Sequence, residues 1–266
     1  MNVIIITGAS SGIGREFARQ LDRCFGRLDE FWLVGRNTKA LNELSEQLCC
    51  YSRIIEADLM TDGGINKVRS ELQRRKPHVI MLVNSAGYGM LGDFAEGDYD
   101  EQIGMIDLNC KALTAITYLT LPYMHRNARI IQMASAAAFV SQPGFAVYAA
   151  SKSYVKRFSD ALGEELRPRK IYVTSVCPGP VDTNFFQVAE RHNEIPVFKK
   201  AMMANARDVV RFALQASYYK QSISVYSPMM FGLQFVSKIL PHQIIYFFLR
   251  LGRNAGKKNI SKKGNT

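Results

Sequence analysis

The sequence predicts an α/β fold: one domain built on a doubly wound, parallel seven-stranded sheet with helices on both faces. Three observations carry this expectation. Short apolar runs alternate along the chain with longer amphipathic stretches. The runs are continuous and β-branched rather than alternating, as strands covered on both sides must be. The first run also ends in a glycine-rich turn that opens directly into a helical stretch.

Taken in order, the strand-like runs fall at residues 3–6, 31–34, 53–56, 79–83, 129–133, 172–176 and 222–225. Amphipathic stretches near 13–24, 38–49, 63–74, 98–126, 147–167 and 207–219 predict the helices between and after them. Strand, helix, strand repetition implies parallel pairing through right-handed crossovers. No linker, repeat or low-complexity segment breaks residues 1–227, and residues 228–266 read as a C-terminal extension. A chain of 266 residues, 47% of them hydrophobic, can bury a sizeable core and is not disordered.

Five cysteines, two of them adjacent (Cys49 and Cys50), show no metal-like or redox-like spacing. The expectation is no disulfide framework, no metal site and a reducing compartment, the cytoplasm. Met1 and Asn2 lead straight into "VIIITGASSGIG", so no export signal is expected. The net charge of +11 is uneven: residues 250–266 carry six Lys or Arg and no acid. Such a tail suits an anionic partner or a solvated end. The body shows no basic helix and no finger spacing, so nucleic-acid binding is not expected.

In a doubly wound sheet, ligands bind beyond the carboxyl ends of the strands. The first strand ends in "TGASSGIG", where Gly8, Gly12 and Gly14 permit a tight turn against a pyrophosphate. Ser10 and Ser11 add hydroxyls, and Ile13 begins the helix whose N-terminus suits the negative charge. The second strand ends in Gly35 and Arg36, with no acid until Glu43. A guanidinium there pairs with a 2'-phosphate, whereas NAD sites place a carboxylate, so NADP(H) is the expected cofactor. Asp58 and Leu59 of "EADL" are placed to bracket an adenine, and Asn84, Ala86 and Gly87 of "NSAG" let a ribose come close. Asn109 sits in a helix that is otherwise apolar on its inner face, where a structural network and catalysis account for it equally well.

The segment "SAAAFVSQPGFAVYAASK" holds Ser135, Tyr148 and Lys152. Tyr148 and Lys152, four apart, share a helix face, and an ammonium there is expected to lower the phenol's high pKa toward the useful range. Ser135, at a strand end, can donate to a carbonyl or alkoxide oxygen. The three suit proton exchange with a carbonyl beside a hydride carrier.

Together "TGASSGIG", "NSAG", Asn109, Ser135, "YAASK" and "PGPVDT" resemble the short-chain dehydrogenase/reductase family over residues 1–227, with its Rossmann-type fold. The resemblance implies that Tyr148 is the general acid/base, that Lys152 lowers its pKa and holds the nicotinamide ribose, and that Ser135 orients the substrate oxygen. It also implies that Asn109 fixes a relay water, that Pro178 and Gly179 belong to the cofactor site, and that Val181 and Thr183 meet the carboxamide. Ser85 departs from the pattern, where many members have a second asparagine.

By the same resemblance, the variable segment 184–203 contacts substrate. Its Phe185 and Phe186, with Tyr88, Met90, Leu91, Phe139, Val140 and Phe145 opposite, form an apolar lining. That lining favours a hydrophobic alcohol or ketone, steroid-like or long-chain, over a sugar. The expectation is an NADP-dependent alcohol dehydrogenase or carbonyl reductase, as a homodimer or homotetramer. A cofactor-binding sensor and a membrane-surface scaffold are the alternatives. The extension is apolar to Leu251 but interrupted by Lys238, Pro241 and His242, which predicts two short amphipathic helices rather than a membrane span. They cover the cleft or a subunit interface, or they dock peripherally on an anionic bilayer.

Overall fold

Along β1 (Asn2–Thr7) the four side chains from Val3 to Ile6 are all fully buried, yet they divide between two cores. Val3 and Ile5 join a cluster with Ile65, Val68, Leu72, Ile116 and Leu162 on one face of the sheet. Ile4 and Ile6 join Phe17, Leu21, Leu41, Leu44 and Val210 on the other. The two-residue side-chain period therefore operates inside a run with no polar member, because both faces carry helices.

The computed structural model describes residues 1–24, 26, 28–183, 185, 189 and 203–239. The elements after β1 are α1 (Gly12–Cys24), β2 (Glu30–Gly35), α2 (Thr38–Ser45), β3 (Ser52–Glu56), α3 (Asp62–Arg75) and β4 (His78–Asn84). Next come α4 (Tyr99–Ile106), a π-helical segment (Asp107–Ala112), α5 (Leu113–Thr120), β5 (Met124–Met133) and α6 (Ala146–Leu166). The described chain closes with β6 (Tyr172–Val176), β7 (Val181–Asp182), β8 (Ala204–Asn205), α7 (Ala206–Tyr218), β9 (Ile223–Ser224) and α8 (Pro228–Ile239). Seven strands lie parallel in the order β3-β2-β1-β4-β5-β6-β9, as the doubly wound reading requires. The order reverses between β1 and β4, which places the crevice above those two strands.

Local chemistry sets the boundaries. Thr61 caps α3 by accepting from the Gly64 amide at 3.0 Å, and Asp98 caps α4 through the Glu101 amide at 2.9 Å. Between β2 and β3 the buried Glu30 carboxylate accepts from Trp32 Nε1 and Arg53, both at 2.7 Å; a half-broken pair of this kind costs about 3–5 kcal/mol.

Two expectations need correction. The helix read over 98–126 runs on through a π turn but ends at Thr120, Pro122 lying in a short turn and β5 already starting at Met124. β5 therefore begins five residues earlier than the run at 129–133 suggests, its register with β4 shifting between the Val79–Met124 and Met81–Arg129 pairs. The short β7–β8 ladder, Val181 opposite Ala204, has no sequence signal of its own.

Candidate active site

The turn after β1 takes its shape from Gly8 and Gly12, whose φ angles of 67° and 51° lie in the left-handed region. A β-carbon on Gly8 would also lie 2.8 Å from the Ala86 backbone, so the exits of β1 and β4 pack directly on each other. Thr7 reinforces this, its hydroxyl accepting from the Ser85 and Ala86 amides, each at 3.1 Å. Gly14 lies against the Gly8 carbonyl, Ser10 and Ile13 are half-buried, and Ser11 is exposed. Thr183, just past β7, sits over Gly12, which brings "PGPVDT" onto the turn.

Arg36 stands exposed at the end of β2, its Nη1 3.9 Å from Asp58 Oδ2. An exposed pair at that separation contributes little, so the guanidinium is available to a phosphate. Asp58 is half-buried and accepts from the Met60 amide, but Leu59 turns inward and packs in the core, so its side chain is not at an adenine surface. Asn84 is buried too. Its Nδ2 donates to Thr117 Oγ1 at 2.9 Å and Gln132 Oε1 at 3.0 Å, which makes it a brace across β4, β5 and α5, while its buried Oδ1 has no hydrogen-bond partner among the described residues.

Asn109 occupies the π turn and clamps the backbone of Tyr88. Its Oδ1 accepts from the Tyr88 amide at 3.1 Å and its Nδ2 donates to the Tyr88 carbonyl at 2.9 Å. The same Nδ2 donates to Ser151 Oγ at 3.0 Å, and Ser151 in turn donates to the Tyr148 carbonyl at 2.8 Å. One side chain thus ties the β4 exit to α6, and Ser151, which sequence reasoning passed over, completes the link.

Ser135 is extended at the exit of β5 and accepts from the Ala137 amide at 3.1 Å. Tyr148 and Lys152 lie in the first turns of α6, both buried, with the Lys152 ammonium 5.7 Å from the Tyr148 ring centre. Phe145 stacks on that ring at 4.2 Å and Phe185 meets it at 5.4 Å. Burial pushes the Tyr148 phenol up to about 12, opposed by the Ser135 hydroxyl nearby. Burial likewise lowers Lys152 to about 8. The expected depression of Tyr148 by the ammonium is therefore not seen: Lys152 directs its charge to the Met133 carbonyl at 2.7 Å, and Ser135 is what favours the phenolate.

Tyr88, Met90, Leu91, Phe145 and Phe185 gather around Tyr148, joined by Met105, Ala137 and Ala149. Phe139 does not; it packs in a separate cluster with Leu113, Ala134, Val155 and Cys177. Val140 is buried, and Phe186 lies outside the described residues, with most of 184–203. Gly89 was missed by sequence reasoning. A β-carbon there would lie 2.6 Å from Tyr148 Cδ2 and 2.8 Å from Phe145 Cζ, so only glycine lets the two rings settle. Pro178 is buried and accepts at its carbonyl from the Ala136 amide at 2.8 Å, while Gly179 faces Met230 and Val181 is buried.

The residues fit a dinucleotide. The left-handed turn at the start of α1 offers amides to a pyrophosphate, and Gly87 leaves open the space beside Asn109 Oδ1 and Lys152 Nζ that a side chain would fill. Among the described residues, no group of three or more His, Cys, Asp or Glu could hold a metal ion.

Comparison with known proteins agrees with this geometry. Residues 2–194 match the family model for short chain dehydrogenase. An uncharacterized oxidoreductase of Staphylococcus epidermidis is 31% identical over 214 residues, covering 80% of this chain and 90% of its own. A short-chain dehydrogenase from Sphingobium yanoikuyae, solved in complex with NADPH, superposes with a TM-score of 0.75 at 24% identity, over 91% of this chain and 97% of that one. A short-chain dehydrogenase/reductase from Burkholderia phymatum, solved in complex with NAD, gives 0.75 at 20% identity, over 88% and 92%. On its fold, its motifs and these matches, the chain belongs to the short-chain dehydrogenase family.

Proposed function

We propose that this oxidoreductase interconverts a secondary alcohol and a ketone on a hydrophobic substrate, steroid-like or long-chain, using NADP(H). The observation that carries the reading is the buried Tyr148, with the Lys152 ammonium 5.7 Å from its ring and a wall of Phe145, Phe185, Met90 and Met105 around it. Those apolar groups suit a hydrophobic substrate and exclude water from the reacting oxygen.

When bound, the nicotinamide cofactor supplies or accepts a hydride. The chain's own groups do the rest. The glycine turn and the start of α1 bind the pyrophosphate, Arg36 pairs with the 2'-phosphate, and Gly87 and Lys152 receive the adjoining ribose. In the reductive direction Ser135 holds the carbonyl oxygen, and Tyr148 donates the proton that completes the hydroxyl. A phenol held protonated by burial is ready for that donation. The Asn109–Ser151 link keeps Tyr148 and the Tyr88 loop in register while the proton moves.

The NADP(H) preference rests on Arg36, exposed and only loosely paired with Asp58. A homodimer or homotetramer is also proposed, the second copy packing on a shallow groove of about 730 Å³ lined by Ile106, Tyr118, Val147 and Tyr154. The test of function is a panel of ketones and alcohols offered with NADP(H) and NAD(H), followed by absorbance of the reduced cofactor. Turnover of lipophilic ketones with NADPH supports the reading. Turnover confined to sugars overturns the substrate class, and no turnover with any carbonyl favours a sensor.

A further inference from the structure

Charge and apolar exposure coincide at the C-terminal end of the described chain. All 23 acidic residues lie before residue 209, whereas residues 209–266 hold nine Lys or Arg. Nine of the eleven net positive charges therefore belong to the last 58 residues. The structure opens this segment with α7 and then leads through β9 to α8. On α8, Met230 is buried at 8% exposure against Gly179, and the helix also contacts the turn after Ser135. That anchors it at the rim of the active site. Its outer side chains are left bare: Phe231 and Phe235, one turn apart, are 58% and 61% exposed, and Met229 is 50% exposed. Among the described residues, no atom outside the helix's own neighbouring backbone lies within 4 Å of a β-carbon built at Gly232 between them.

We propose that α8 docks this protein peripherally on an anionic lipid bilayer, with Phe231 and Phe235 entering the surface. Phenylalanines at that spacing present one apolar edge, and a cationic segment without a single carboxylate matches a negative surface. A second copy here would bring together two C-terminal stretches that each carry seven Lys or Arg over residues 238–266, which repel. The protein's own core is not the occupant either, because α8 already lies on the chain through Met230 and still leaves these rings exposed. No helix among the described residues is long and apolar enough to cross a membrane. Docking by α8 places the mouth of the site at the lipid, where a lipophilic ketone resides. That consequence rests on the substrate proposed above, but the docking does not.

The test is sedimentation of the full chain with vesicles of phosphatidylcholine alone or mixed with phosphatidylglycerol, at low and high salt, with no substrate present. The expected result is binding to the mixed vesicles alone. It should weaken at least tenfold at high salt, since each cation at such a surface contributes roughly fivefold. It should also weaken at least tenfold in F231S/F235S, with melting temperature and oligomer mass unchanged. Equal binding to neutral vesicles, no binding at low salt, or undiminished binding by F231S/F235S each overturns the proposal. A change in oligomer mass in that variant assigns the face to a second copy instead. Because the assay needs no turnover, its failure is distinct from failure of the proposed reaction.

Discussion

Lys152→Met should stabilise the cofactor-free protein while destroying its activity. Lys152 is 5% exposed, and its folded pKa falls from 10.5 to about 8 because burial disfavours the charged ammonium. At about 1.36 kcal/mol per unit, that displacement is a cost of about 3 kcal/mol near neutral pH. Methionine fills nearly the same volume without charge. Set against the gain, the Met133 carbonyl loses its donor at 2.7 Å, which costs about 1–2 kcal/mol. The net expectation is about 1–2 kcal/mol, or roughly 3–6 °C in melting temperature for a chain of this size. The sign of the pH dependence follows from linkage. Between about 8 and 10.5 the unfolded chain binds more protons than the folded one, so wild-type stability rises with pH across that window. The variant's advantage should be complete below about 8 and fade toward 10.5. Thermal melts of both proteins across that range measure it. A destabilised variant at neutral pH, or an advantage that grows with pH, would refute the electrostatic description of the site.

Tyr148→Phe should retain less than about a hundredth of wild-type turnover while binding cofactor almost normally, since only the proton donor is lost; steady-state kinetics beside cofactor titration shows both. Arg36→Ala should weaken NADP binding roughly tenfold to a hundredfold and leave NAD binding unchanged, the loss of one charge-assisted pair; equal losses would make Arg36 structural. Gly89→Ala should lower kcat roughly a hundredfold with the fold retained, because the new methyl displaces the Tyr148 ring, only 2.6 Å away. Unchanged kcat would mean that the ring yields at no cost.

Most of the scaffold was legible in the sequence because it depends on local signals. Continuous Val and Ile runs mark the buried strands, and glycines at 8 and 12 mark the turn whose left-handed angles the structure displays. What escaped depends on partners far along the chain. The π turn at Asp107–Ala112 accompanies a clamp from Asn109 to Tyr88 and Ser151, which lie 21 and 42 residues away. The high pKa of Tyr148 comes from its burial, and the position of the lysine charge from a carbonyl 19 residues upstream. Leu59 was read as ligand-facing because it follows a strand end, and Phe139 as part of the substrate wall, yet each packs in the core beneath. Spacing alone cannot distinguish a residue at the rim of a crevice from one beneath it.

The central claim is hydride transfer to a carbonyl with Tyr148 as proton donor, and isotope transfer tests it most directly. NADPH deuterated at the transferring position, incubated with a lipophilic ketone and the protein, should give an alcohol carrying one deuterium on its carbinol carbon. Tyr148→Phe should give almost none. An unlabelled alcohol, or labelled alcohol formed equally well by the variant, would contradict the account.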